Sequence, residues 1–359
     1  MPSIRPVCTL NRFVSRTALA FTVLCFAAGG AAAQSSAKPV VTPGFSLSVF
    51  ATGSGGLFSA PDSLAVLDDH VWVGYANTGA PDGSNGAKSE IVEYSLNGTV
   101  VKSYEVAGHN DGLKVNPYTR EIWAMQNEDA SPNLVIINPA TGQASAPYSF
   151  DKTLHGGGYD DMVFKDGVTY LSASNPTLSG SGQNTGPAIV RIVRINANTH
   201  TIGVAPTVSG TLSASNIPFG TVTTLNLTDP DSMTLTPSGD VLLDDQGDGQ
   251  LVLLSFSGEQ PRVLPLLGQV QVDDTVFATA RRGFLLVSDT KANTVYKVSA
   301  NVWQRDAAFS ASTGVATATP AVPGYVGQLD LRSGALLPLV TNLASPHGMA
   351  FVAQKDNGQ

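Results

Sequence analysis

Short apolar runs broken by polar residues fill most of the chain, and one six-residue phrase recurs among them. The second residue of the phrase is Asp five times and His once, the third is small or acidic, and an apolar run follows. The six copies are Pro61–Val66, Asn110–Val115, Tyr159–Phe164, Pro230–Leu235, Val272–Phe277 and Pro346–Phe351. Repetition at this scale is typical of propellers and solenoids.

Each phrase is followed by a tight turn and by further predicted strands. After the first phrase come Val71–Ala76 and Ile91–Ser95, which are rich in β-branched and aromatic residues and bounded by turn formers. In the fifth unit the corresponding strands are Phe284–Ser288 and Val295–Val298. No helical period of 3.6 residues lasts for three turns. The pattern therefore predicts an all-β chain.

The predicted architecture is a six-bladed β-propeller made of four-stranded antiparallel blades, because radial repetition leaves only short sheet edges. Seven blades stay an alternative, since the strands between Trp303 and Val340 are the least defined by the pattern. We expect ring closure to use both ends of the domain, with Phe45–Phe50 joining the blade that contains Met349–Val352.

The first 33 residues have the pattern of a secretory signal. Basic residues precede an apolar run from Thr17 to Ala28, and Ala31-Ala32-Ala33 is an A-x-A cleavage site. We predict a cleaved signal at 1–33, a linker at 34–44, a single propeller domain at 45–353 and a tail at 354–359. The mature protein would be secreted or periplasmic, without a membrane span, and we expect a monomer.

Charge and cysteine content exclude several classes of function. Both cysteines, Cys8 and Cys25, lie in the predicted signal, so disulfides and thiol chemistry are excluded from the mature chain. The formal charge is −8, and loss of the three arginines of the signal makes it −11. An acidic surface disfavours binding to nucleic acid.

The phrases predict a ring of carboxylates. If the second residue begins the innermost strand of each blade, all six copies lie at one face around the central axis; they are Asp62, Asp111, Asp160, Asp231, Asp273 and His347. One interpretation is that each Asp only caps the turn that enters its strand. Five converging carboxylates, however, repel each other by about 2 kcal/mol per pair at ~8 Å and a dielectric near 20.

A bound cation would relieve this repulsion. The second strand of each unit ends at the same face, 15 or 16 residues after the Asp, in a carboxamide-rich set consisting of Asn77, Asn127, Asn175, Gln246 and Asp289. Carboxylate and amide oxygens together suit a hard cation. We therefore predict a calcium site in which the five Asp of the phrases are ligands and this second set lies one strand outward.

The longer loops lie at the same face, where binding and catalysis usually occur. Three histidines, His109, His155 and His347, fall near it. His347 is the first candidate for a general base, because neighbouring carboxylates would orient it and favour its charged form. Asp231 is the other candidate catalytic residue.

The phrases resemble those of the calcium-dependent six-bladed propellers of the gluconolactonase and senescence-marker group, and also NHL repeats. Pro230-Asp231-Ser232-Met233 is similar to the P-D-G-M context of the lactonase metal site, and Asn110-Asp111-Gly112-Leu113 is similar to its N-G-L context. Asp62 occupies the place of the early Glu of that family. The ring here is more uniform, and Pro346–Phe351 looks equally like an NHL closing repeat.

Two functions follow as hypotheses. The first is a non-catalytic scaffold that binds an extracytoplasmic protein or carbohydrate, with calcium at the channel mouth. The alternative is a metal-dependent hydrolase of a lactone or ester, in which the cation polarises the carbonyl. A fold does not decide between them.

Overall fold

The computed structural model describes residues 38–55, 57–314 and 322–354, all of which belong to the unit Ser36–Gln359. The predicted signal at 1–33, residues 34–37 of the predicted linker and residues 355–359 of the predicted tail lie outside the described residues. No helix in the described ranges is both long and apolar enough to cross a membrane.

The described residues form strands and one 3₁₀ turn. The first seventeen strands are β1 (Val40–Val41), β2 (Phe45–Thr52), β3 (Pro61–Leu67), β4 (His70–Tyr75), β5 (Lys88–Ser95), β6 (Val100–Ala107), β7 (Asn110–Val115), β8 (Ile122–Gln126), β9 (Asn133–Asn138), β10 (Gln143–Ala144), β11 (Tyr148–Phe150), β12 (Met162–Lys165), β13 (Val168–Ser172), β14 (Pro187–Asn196), β15 (Thr201–Ser209), β16 (Ser213–Asn216) and β17 (Val222–Thr224). The others are β18 (Pro230–Leu235), β19 (Val241–Asp245), β20 (Gln250–Leu254), β21 (Arg262–Pro265), β22 (Thr275–Phe277), β23 (Gly283–Asp289), β24 (Thr294–Ala300), β25 (Ala308–Ser312), β26 (Gly324–Leu329), β27 (Leu336–Leu343) and β28 (Pro346–Ala353), with the 3₁₀ turn at Gln246–Asp248.

Strand pairing arranges these elements as six antiparallel groups, each beginning with a recurring phrase. The first four groups are β3 to β6, β7 to β9 with β10 and β11, β12 to β15, and β18 to β21. A parallel pairing of β11 with β15 joins the second and third groups into one sheet, and the β16–β17 hairpin extends the fourth. The fifth group is β22, β25, β26 and β27 with β1, and the sixth is β28, β23, β24 and β2.

The groups form a closed ring. Each innermost strand contacts the innermost strand of the next group, and β28 contacts β3. Six clusters of buried apolar side chains lie in the described residues, and each cluster is shared by two neighbouring groups. Trp72 of the first group, for example, packs in one cluster with Leu113 and Ile122 of the second. The predicted all-β propeller is confirmed, as is the pairing of β2 and β28 in one sheet.

The prediction for the fifth unit was wrong in one respect. The β23–β24 hairpin does not follow β22 in the same sheet, because β23 pairs with β28 and β22 pairs with β25. Register places Leu286 opposite Ala350, and the side chains of both pack with Phe50 in the cluster between the sixth and first groups. The local pattern of a hairpin is the same whichever neighbour it joins, so the sequence did not distinguish the two arrangements.

A β-bulge at the start of the innermost strands explains how two successive residues reach the channel. Pairing of β3 with β4 shifts register between Pro61 and Leu64, and β7 and β18 show the same shift. Alternation along a regular strand would send neighbouring side chains to opposite faces, and a bulge interrupts it. The second and third residues of a phrase can therefore both line the channel, as Asp62 and Ser63 do.

The third residue of each phrase also packs one group against the next. Ser63 donates a hydrogen bond to the Asp111 carbonyl, and Asp161 accepts one from Met233 N–H at 2.9 Å. At Gly112 a side chain is excluded, because a Cβ would lie 2.2 Å from the Asp160 carbonyl oxygen. The preference for small or acidic residues at this position therefore follows from packing and hydrogen bonding between neighbouring innermost strands.

Candidate functional site

The central channel is lined at one end by the second residues of the six phrases, which we call the mouth layer. Its members are Asp62, Asp111, Asp160, Asp231, Asp273 and His347. The five carboxylates line a single narrow cavity of about 10 Å³, and His347 forms ion pairs with two of them. The structure thus brings together residues that are up to 285 positions apart in the chain, from 62 to 347.

Asp62, Asp160 and Asp231 are buried, Asp111 and Asp273 are half-buried, and these carboxylates interact with one another. Burial, together with neighbouring carboxylates, raises the pKa of Asp62, Asp160 and Asp231 well above the usual value. The pKa of Asp111 is also raised by burial, although a hydrogen bond with Asp160 opposes the change. At neutral pH such a cluster must hold protons or a cation, since several unscreened negative charges cannot share a buried cavity.

His347 supplies part of the missing positive charge. Its Nδ1 lies 3.0 Å from Asp273 Oδ1 and 3.7 Å from Asp62 Oδ1, and its Nε2 lies 3.1 Å from Ser345 Oγ. Burial alone would lower the pKa of His347, but Asp273 and Asp62 outweigh it and raise the pKa to about 10. A ring that is protonated at neutral pH acts as a counter-ion or proton donor, so this geometry favours those roles over that of a general base.

His109 has one ring nitrogen fixed by the backbone. Its Nδ1–H donates to the Gly79 carbonyl at 2.9 Å, and its Nε2 lies 3.7 Å from Glu128 Oε1. Asp62, Asp111 and His109 each offer one ligand atom, and these atoms all lie within 4.8 Å of one another. A histidine whose other ring nitrogen donates to a backbone carbonyl is the usual arrangement of a metal ligand.

Glu128 is a site residue that the sequence did not indicate. It follows β8 directly after Asn127, and its side chain is 15 % exposed. Burial and the charge of Asp111 raise the pKa of Glu128 to about 10, and its Oε2 is buried without a hydrogen-bond partner among the described residues. Glu128 therefore carries a proton at neutral pH, beside Nε2 of His109.

The second predicted set of side chains mostly bonds to loop backbone. Asn77, Asn127 and Asn175 all have positive φ, a conformation that Asn tolerates better than most residues. Their bonds run from Ser59 N–H to Asn77 Oδ1 at 2.8 Å, from His109 N–H to Asn127 Oδ1 at 2.9 Å and from Asn175 Nδ2 to the Asp129 carbonyl at 3.3 Å. These amides fix the loops that surround the mouth.

The other two members of that set differ from each other. Gln246 Nε2 donates to Asp273 Oδ1 at 3.1 Å, so Gln246 reaches the mouth layer. Asp289 accepts hydrogen bonds from the backbone N–H groups of Ala344 and Ser345, both at 2.8 Å, in the turn before β28. Asp289 thus positions the strand that carries His347.

His155 has a loop role in this structure. Its Nε2–H donates to the Gly158 carbonyl at 2.6 Å, and the residue is 4 % exposed. Burial lowers the pKa of His155, so the ring is neutral. It shapes the glycine-rich segment that precedes Asp160.

The ligand atoms of the mouth favour a particular class of metal. The groups of three or more potential ligands that converge within the described residues are two, Asp62 with His109 and Asp111, and Asp62 with Asp273 and His347. Both combine two carboxylates with one imidazole. Imidazole with carboxylate suits first-row transition ions, whereas Ca²⁺ takes oxygen ligands only. In the second group the imidazole is protonated, so the first group fits a metal better.

Comparison with known proteins gives a likeness of fold. No family model matches the chain, and no curated protein matches it. Among solved structures, the periplasmic gluconolactonase PpgL of Pseudomonas aeruginosa is 12 % identical with a TM-score of 0.47, over 86 % of this chain and 99 % of that one. A protein of unknown function from Bacteroides caccae is 9 % identical with a TM-score of 0.47, over 82 % and 87 % of the two chains.

A putative gluconolactonase is also similar, at 12 % identity and a TM-score of 0.44, with 84 % of this chain and 83 % of that one covered. Identities of 9–12 % carry over no chemistry, and the propeller itself is established by the strand pairing and the ring of shared cores.

Proposed function

We propose that this protein is an exported propeller that binds a divalent cation at its channel mouth and uses it to hold a small ligand. The observation that carries the proposal is the convergence of Asp62, Asp111 and His109 within 4.8 Å, with the imidazole fixed by a backbone carbonyl. A bound cation would neutralise the buried carboxylates and leave coordination positions open toward the loops.

The identity of the metal follows from the ligands. Calcium was predicted from carboxylates and amides, but the asparagine amides bond to loop backbone and an imidazole takes their place. This set supports Mn²⁺ or Zn²⁺ over Ca²⁺. Calcium stays a candidate only if it uses oxygens of Asp62, Asp111 and water.

The rim of the mouth indicates the charge of the ligand. Burial and the charges of Asp129 and Asp248 raise the pKa of Asp229 to about 6. These three acids therefore lie near one another around the opening. An anionic ligand would be repelled wherever the metal does not contact it. We infer that the ligand is neutral and carries carbonyl or hydroxyl oxygens, as a carbohydrate, a lactone or an ester does.

Metal addition tests the proposal directly. Purified mature protein, stripped with EDTA, is expected to gain about 5 °C or more in Tm when Mn²⁺ or Zn²⁺ is present at 100 times its Kd, because binding to the folded state alone contributes about 2.7 kcal/mol there. Ca²⁺ is expected to raise Tm less at equal concentration. Thermal scans in EDTA, Ca²⁺, Mn²⁺ and Zn²⁺ measure this, and equal Tm values in all four would contradict metal binding.

Hydrolysis of a lactone or ester is a second candidate, and Glu128 favours it. A protonated carboxyl beside a metal-binding histidine can give its proton to the oxygen that leaves the carbonyl carbon. Asp231, kept ionised by the nearby cation, would take the proton of the water whose oxygen attacks that carbon. The cation itself would polarise the carbonyl. The products are one alcohol group and one carboxylic acid group.

Substrates with different leaving groups distinguish catalysis from simple binding. If the protein is a hydrolase, Glu128→Gln is expected to lower turnover of a lactone or alkyl ester about 100-fold or more, because the poor leaving group needs the proton that Glu128 donates. An activated aryl ester should be affected far less. Glu121→Gln, a substitution in a turn at the opposite face, is the control. If the unaltered, metal-loaded protein shows no turnover, the hydrolase function is contradicted and the binding function remains.

A further inference from the structure

The third residues of the phrases form a second layer in the channel, one residue along the innermost strands from the mouth. Its members are Ser63, Gly112, Asp161, Ser232, Asp274 and Gly348. The two carboxylates each bridge to the next innermost strand through one oxygen. Asp161 Oδ2 accepts from Met233 N–H at 2.9 Å, and Asp274 Oδ2 accepts from Met349 N–H at 2.7 Å.

The other oxygen of each carboxylate has no such partner. Oδ1 of Asp161 and Oδ1 of Asp274 are buried without a hydrogen-bond partner among the described residues, and the two residues are only 3 % and 6 % exposed. Both line the same cavity. A buried carboxylate oxygen without a partner is costly, so this layer requires positive charge.

Lys114 provides that charge. It is the one Lys or Arg that lines this cavity within the part of the chain that the structure describes, and its Nζ lies 2.8 Å from Asp161 Oδ2. Burial would lower the pKa of Lys114, but Asp161 and Asp274 raise it further than burial lowers it. The fifth residue of the other five phrases is Ala65, Val163, Thr234, Val276 or Ala350, so the lysine is an exception within the repeat.

Lys114 lies between two cavities. Lys114 belongs to the lining of the acidic cavity and to that of a second, more apolar cavity of about 260 Å³, which Val115, Phe164 and Leu235 line near the other ends of the same strands. The ammonium thus lies where a metal ion in the channel would meet the two carboxylates of the second layer, Asp161 and Asp274.

We propose that this second layer is a cation site in its own right, one layer inward from the mouth in the same cavity, and that the Lys114 ammonium occupies it in place of a metal ion. Removal of the ammonium leaves Asp161 and Asp274, each with one unpartnered buried oxygen, as ligands for a divalent metal. Lys114 therefore limits the channel to the metal at its mouth and prevents that metal from moving inward.

The test counts metal ions in matched variants. Lys114→Met keeps an unbranched apolar side chain and removes the charge, while Lys165→Met is the control, since Lys165 is on another innermost strand and its Nζ donates to the Gly239 carbonyl. After dialysis against Mn²⁺, elemental analysis is expected to find one more Mn²⁺ per chain in Lys114→Met than in the unaltered protein or in Lys165→Met. In EDTA its Tm should fall by roughly 5–10 °C, and Mn²⁺ should restore it.

The test compares the number of Mn²⁺ ions per chain between variants. Its result can therefore be interpreted whether the unaltered chain binds one metal ion at the mouth or none. An unchanged Mn²⁺ count in Lys114→Met overturns the proposal, and so does a Lys114→Met protein that fails to fold even with Mn²⁺ present. The double variant Lys114→Met/Asp161→Asn is expected to fold without added metal and to bind no extra ion. If it bound the extra ion, Asp161 would not be a ligand of the site.

Discussion

Replacing Asp62 with asparagine is expected to reduce divalent-cation binding on the order of 100-fold or more. Asp62 belongs to both groups of converging ligands in the described residues, the one with His109 and Asp111 and the one with Asp273 and His347. Loss of a residue that only supports a ligand already costs 10–100-fold in affinity, and loss of a ligand should cost at least as much. Asparagine keeps the shape of the side chain and leaves the backbone of β3 unchanged.

Isothermal titration with Mn²⁺ measures this effect, and Asp82→Asn is the matched control. Asp82 is an exposed acid in a mouth loop, where its Oδ1 accepts a hydrogen bond from Ser84 N–H at 2.9 Å. Both variants lose one negative charge at the same face, so a general electrostatic effect would weaken binding equally in both. If Asp62→Asn binds as tightly as Asp82→Asn, the mouth metal site is wrong.

The recurring phrases predicted the fold and the place of the inner ring because they encode both locally. Asp231 between Pro230 and an apolar run marks the start of an innermost strand, and the next strand returns to the same face. Once the phrases are equivalent, ring geometry places Asp62 near Asp273 whatever their separation in sequence. The identity of the side chains in the mouth layer therefore follows from repetition alone.

The remaining features depend on contacts between distant segments. The burial of Glu128, and with it the raised pKa, depends on the neighbouring carboxylate of Asp111 and on the packing of loops from two groups. Nothing in its local sequence separates it from an ordinary loop acid. The loop role of the asparagines in the second set was not evident from the sequence for a different reason, because Asn at the end of a strand is also the residue that best adopts positive φ. Asn77 has positive φ, and its side-chain amide forms hydrogen bonds with the backbone.

The β23–β24 hairpin shows the same limit at the level of topology. Phe284 and Leu286 would be apolar and inward-facing in either of two adjacent sheets, and only the register with β28 decides between them. The hydrogen bonds of Asp289 to the turn before β28 fix that choice. The spacing of Asp289 from Asp273 matched that of the other repeats, so the sequence predicted the wrong sheet for β23.

Rising pH is expected to destabilise the metal-free protein, with Tm falling by roughly 10 °C between pH 6 and pH 9.5. Burial raises the pKa of Asp274 to about 6, of Asp245 to about 8 and of Glu128 to about 10, all above the values near 4 of the unfolded chain. Between the unfolded and folded pKa values the folded state binds more protons, so stability falls as pH rises. His347, with its pKa raised from 6.5 to about 10, acts in the same direction, because its stabilising charge is lost as pH passes through the folded value.

Thermal scans in EDTA at several pH values, with two histidine variants, separate the contributions. His347→Gln should lower Tm at pH 6 and flatten its decline between pH 6.5 and 10, because the ion pairs with Asp273 and Asp62 are already absent. His70→Gln removes a histidine whose side chain is 43 % exposed and should leave the profile unchanged. A Tm that is constant or rises over this range would contradict the raised pKa values of Asp274, Asp245 and Glu128.

Metal should reverse the trend, and this links the pH profile to the proposed function. A divalent cation binds carboxylates and imidazole only in their deprotonated forms, so its affinity increases with pH while the metal-free protein weakens. Saturating Mn²⁺ is therefore expected to raise Tm more at pH 9 than at pH 6. Protons and metal would then be alternative ways of neutralising one buried cluster. An Mn²⁺ effect that is equal at both pH values would place the metal away from Asp62, Asp111 and His109.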